Sequence, residues 1–90
     1  MEHKYALEIY YPGSVNSVWV WFGSDTPFQA ISIGDIINPG LFPDAGADVM
    51  LRVTSLEHIL WSTKNQSKHK ICIYTEDIGK NEALRFGFHP

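Results

Sequence analysis

Polar and apolar positions alternate along this chain in short bursts, and the two longest lie between Asp48 and Thr75. The first reads Asp-Val-Met-Leu-Arg-Val-Thr and continues Ser-Leu-Glu-His-Ile-Leu-Trp-Ser-Thr. The second reads His-Lys-Ile-Cys-Ile-Tyr-Thr, after a polar break over residues 64–68. Two β-rich runs across a short polar segment predict a hairpin. In its first arm Val49, Leu51 and Val53 share one parity, which Ile59 and Trp61 keep, while Leu56, His58 and Leu60 take the other. The apolar phase therefore changes near Ser55. A bulge or sharp bend there lets one long strand serve two faces of a small barrel. Register across the turn stays open. A two-residue turn at Asn65-Gln66 sets His58 opposite Ile73, a longer one sets Trp61 opposite Ile71, and a slip of one residue exchanges the faces.

Residues 3–11 alternate with period two, Tyr5, Leu7, Ile9 and Tyr11 on one side and Lys4, Ala6, Glu8 and Tyr10 on the other. That is the pattern of a half-buried strand. Pro12-Gly13-Ser14 forms a turn, because Pro presets φ at the first corner and Gly accepts positive φ at the second. Residues 17–22 make the second strand, with Val18, Val20 and Phe22 on one face and Trp19 and Trp21 on the other. A short turn predicts antiparallel pairing. Leu7 and Ile9 then join Val18 and Val20 in the core, leaving Tyr10, Trp19 and Trp21 on the side of Glu8.

Residues 28–33 read as a third strand, broken at Gly34-Asp35 and resumed at Ile36-Ile37. From Asn38 to Asp48 the chain is rich in Gly, Pro and Asp and predicts a surface loop pinned by Leu41 and Phe42. In residues 76–90, Asn81 could cap a short helix ending near Gly87, but Leu84, Phe86 and Phe88 alternate as in a strand. Three large apolar residues in a terminal segment predict a docking arm. The sum is an all-β domain: a small, strongly bent antiparallel barrel, SH3-like or partly open, of five to six short strands with little or no helix.

Ninety residues suffice for one core, which places residues 1–90 in a single domain. So small a core is marginal, and pairing with a second copy would add stability. A formal net charge of −3, with seven Lys and Arg scattered along the chain, argues against a nucleic-acid partner, which needs clustered cations. The single cysteine, Cys72, excludes an internal disulfide. The N-terminal residues lack the apolar run of a signal peptide, and no stretch is long enough to span a membrane as a helix. A cytoplasmic protein is the expectation.

No motif points to catalysis, a metal or a cofactor. His3, His58, His69 and His89 lack ligand spacing, so a metal would need His58, His69, Asp35 or Cys72 gathered by the fold. Glu57 and His58 are adjacent and in a strand point to opposite sides. Cys72 between Ile71 and Ile73 reads as a small buried hydrophobe. The aspartates sit beside Gly, Pro or Ser, the habit of turn formers. Tyr10, Trp19 and Trp21 differ, because aromatic rings on the wrong side of a regular alternation belong to the core, a subunit interface or a ligand pocket.

Two functions follow as expectations. One is a non-enzymatic binding or assembly module that self-associates, as a dimer, through Tyr10, Trp19 and Trp21 or through the arm carrying Phe86 and Phe88. The other is a site for a small hydrophobic or cationic ligand, enzymatic or not, lined by the same aromatics with Asp35, Glu57 and His58 as polar partners.

Overall fold

The computed structural model describes residues 4–40, 42–63 and 66–79. Its elements are β1 (Tyr5–Tyr10), β2 (Val18–Ser24), β3 (Ile36–Ile37), β4 (Leu51–Thr63) and β5 (Gln66–Asp77). They form one sheet in the order β2-β1-β5-β4-β3, curled into a half-barrel. The class is all-β, as the alternation requires.

Both hairpins form. Tyr11-Pro12-Gly13-Ser14 closes the first, with Ser14 N–H donating to the Tyr11 carbonyl at 2.9 Å and Gly13 at φ +79°. In the second, β4 and β5 pair over twelve positions, from Leu51 with Asp77 to Thr63 with Gln66. The change of apolar phase is a bulge between Val53 and Ser55. It keeps Leu51 and Val53 on the same side as Leu56, which packs against the core.

Three expectations are corrected. The sheet is mixed, because β1 runs parallel to β5, with Leu7 beside Ile71 and Ile9 beside Ile73. His58 pairs with Ile71 and Trp61 with Lys68, a register that neither turn length foresaw; Lys64 and Asn65, between the paired ends, lie outside the described residues. Residues 28–33 are not a strand. Ser32 N–H donates to Asp35 Oδ2 at 2.8 Å and Asp35 N–H donates to the Ser32 carbonyl at 3.0 Å, a turn with Gly34 at φ +95°. The apolar residues read as strand, Phe28 and Ile31, instead lay their side chains on the core from a loop.

The core is Leu7, Ile9, Leu51, Val53 and Ile73, on one face of the sheet. The segment between β2 and β4 covers that face with Phe28, Ile31, Ile37, Phe42 and Val49. Phe42 pins the loop as expected; Leu41 and residues 80–90, including Phe86 and Phe88, lie outside the described residues. One side of the sheet is thus covered by the chain between β2 and β4. The opposite side, which no described segment covers, holds the site.

Candidate functional site: the uncovered face of the sheet

Side chains alternate across a strand, so burying Leu7 and Ile9 turns Ala6, Glu8 and Tyr10 of β1 the other way. Pairing extends this across the sheet. Glu8 lies between Trp21 of β2 and Cys72 of β5, and Cys72 lies beside Glu57 of β4. Tyr74, next on β5, brings its ring to 4.8 Å from that of Tyr10, tilted by 36°.

Polar groups on this face satisfy one another. Tyr10 Oη donates to Glu8 Oε1 at 3.2 Å, and Lys70 Nζ sits 3.3 Å from the same oxygen. Tyr74 Oη donates to Glu57 Oε1 at 3.1 Å. The Cys72 thiol, only 1% exposed, lies 3.9 Å from both Tyr10 Oη and Glu8 Oε1. Burial pushes Cys72 above its ordinary value, outweighing the lowering by the Tyr10 hydrogen bond and the Lys70 charge. Burial, then hydrogen bonding to Cys72, raises Tyr10; burial, then Glu57, raises Tyr74. A thiol nucleophile requires the reverse shift. The chemistry offered here is a patch of rings and neutralised charges, suited to contact.

Trp21, 51% exposed, is the large apolar residue at the β2 end of this patch. Trp19 is not there, which corrects the expected triple stripe. Register breaks between Ile9, opposite Val20, and Tyr10, opposite Val18, so Trp19 is an extra residue in a bulge. Its ring turns to the covered side, stacked on Tyr11 at 5.0 Å and edge-on to Phe42 at 5.4 Å. Its Nε1–H donates to the Pro43 carbonyl at 2.5 Å. The same bulge moves Val18, expected in the core, beside Tyr10 with 40% exposure.

The candidate polar group does not converge. Asp35 closes its turn with Ser32, Glu57 holds Tyr74 on the uncovered face, and His58 lies on the opposite face. The fold does bring His58 to His69, with Nδ1 of one 2.8 Å from Nε2 of the other. Among the described residues no three His, Cys, Asp or Glu side chains gather as a metal would need, and no helix is long and apolar enough to cross a membrane.

Sequence reasoning missed an open apolar groove of about 540 Å³ lined by Val20, Phe22, Asn38, Gly40 and Phe42. Its one signal was Phe42, a lone ring in a loop of Gly, Pro and Asp. Comparison with protein-family models, curated proteins and solved structures gives no match for this chain.

Proposed function

We propose that this chain is a small non-enzymatic binding and assembly module that associates with a second copy of itself through the sheet face carrying Trp21. The observation behind this reading is the half-exposed Trp21 indole, next to a Tyr10–Tyr74 ring pair whose neighbouring charges, Glu8 and Lys70, already neutralise each other. Large rings over pre-paired charges lose little on desolvation and gain apolar contact, the make-up of an interface centre. A two-fold dimer is the simplest closed arrangement. Sedimentation of the wild type against Trp21→Ser tests it: a wild-type assembly that Trp21→Ser weakens is expected, and a wild-type monomer at high micromolar concentration overturns it.

A second reading rests on the groove beside Phe42, whose size falls in the range of small-ligand sites. Among the described residues Asn38 is the only polar side chain on its wall, so it suits a hydrophobic molecule. An apolar dye entering it should perturb Trp19, which touches Phe42. Displacement of that dye by Phe42→Ala, with no loss of fold, checks the assignment.

A further inference from the structure

The outer edge of β4 is long and, among the described residues, paired only at its start. β3 covers Leu51 and Arg52, and Gly34 and Asp35 reach Val53; along residues 55–63 no described strand adjoins that side. The direction of the free backbone groups follows from the ladder. Val53 donates to the Asp35 carbonyl at 2.9 Å and accepts from Gly34 at 2.8 Å, both away from β5. Its partner Thr75 therefore faces the other way, where its carbonyl accepts from Gly13 N–H at 2.9 Å. Alternation gives Ile73, Ile71 and His69 the same direction, and His69 N–H duly donates to the Lys4 carbonyl at 2.9 Å. Their partners Leu56, His58 and Leu60 must then aim their N–H and C=O groups off the open edge.

Free edges are usually blunted with Lys, Pro or a short strand. Residues 54–63 hold no Lys, Arg, Pro or Gly, and Glu57 is their one formal charge. Leu60 is 72% exposed and Trp61 42% exposed on the same strand.

We propose that this edge pairs antiparallel with the same edge of a second copy, about a two-fold axis through His58 or Ile59, joining two sheets into one. Either axis sets the outward groups of Leu56, His58 and Leu60 against their like in hydrogen-bonding phase. An axis at His58 places Leu56 across from Leu60 and Glu57 across from Ile59. An axis at Ile59 places Ile59 across from itself and Glu57 across from Trp61. Neither brings Glu57 opposite its own copy, so self-pairing sets no like charges directly across the seam. This contact goes beyond the Trp21 face and does not depend on it. With both surfaces in use, crossed two-fold axes close a tetramer.

Sedimentation equilibrium of the full chain at high micromolar concentration tests this with Leu60→Pro, Leu60→Lys and Trp21→Ser. Pro at residue 60 removes an outward N–H and leaves the β5 ladder intact; Lys places a charge at the seam. A tetrameric wild type that each variant reduces to a dimer is the expected result. A wild-type dimer that both Leu60 variants, but not Trp21→Ser, reduce to a monomer supports the edge and removes the face. A wild-type mass kept by Leu60→Lys overturns the edge proposal, and so does a monomeric wild type. Should Leu60→Pro lose its far-ultraviolet dichroism, Leu60→Lys alone decides.

Discussion

His58 and His69 meet head to head across β4 and β5. Their facing nitrogens are 2.8 Å apart, and the ring centroids, at 5.1 Å, are further apart by no more than two ring radii. That spacing sets the rings edge to edge with one shared proton, their planes 28° apart. One nitrogen must be protonated and the other bare. Because the pair is exposed, His58→Ala should cost less than about 1 kcal/mol by urea denaturation.

The two tryptophans of β2 should respond oppositely. Trp19→Ala removes a ring wedged between Tyr11 and Phe42 and a hydrogen bond to Pro43, and should destabilise by about 3 kcal/mol. Trp21→Ser should cost the folded chain less than about 1 kcal/mol, since half of that residue already meets solvent. Denaturant midpoints of both variants, measured in dilute solution, check the contrast.

Thr75 carries a buried hydroxyl with no hydrogen-bond partner among the described residues. It is 3% exposed and stands beside Val53. Valine has the same shape without the hydroxyl, so Thr75→Val should stabilise by about 1 kcal/mol. Thermal unfolding reads this directly, and a destabilised variant would mean that the hydroxyl is satisfied in solution.

Alkali should weaken the fold. Cys72 has its ionisation raised above 9.0, and Tyr10 and Tyr74 above 10.0, with burial the leading cause in each. Between the unfolded and the folded value the native state holds a proton that the unfolded chain has released, so stability falls as pH rises through that interval. The decline should begin near pH 9.0, and Cys72→Ala should flatten its first part. Below that pH the thiol should react slowly with a disulfide reagent in the native protein and quickly in denaturant.

Gly13 occupies the second corner of the first turn at φ +79°. No atom of the described residues lies within 4 Å of where a Cβ would stand, so Gly13→Ala isolates backbone strain from crowding. A loss of about 1 kcal/mol is expected, measured by equilibrium unfolding.

Local chemistry made the turns and hairpins legible. Pro12-Gly13 named its turn, and the switch of apolar phase near Ser55 named a bulge. What could not be read was any feature set by a partner distant in the chain. The bulge opposite Ile9 and Tyr10 leaves no mark in the alternation of β2, yet it decides that Trp19 joins the core while Trp21 faces out. Phe28 and Ile31 fall on opposite sides of a strand's alternation, yet both pack on the core, which a loop allows and a strand does not. The register of His58 depended on Lys64 and Asn65 alone linking the arms, which composition does not fix.

The parallel seam joining β1 to β5 constrains how the molecule comes into being. Glu8 and Cys72, neighbours across it, stand 64 residues apart in sequence. During synthesis the first hairpin emerges with Leu7 and Ile9 lacking their neighbours Ile71 and Ile73, and it must wait until nearly the whole described chain has left the ribosome. Long-range closure of this kind is slow. The nascent protein therefore spends that interval with its future interior showing, and a chaperone that shields the amino-terminal hairpin would raise the yield of folded chains.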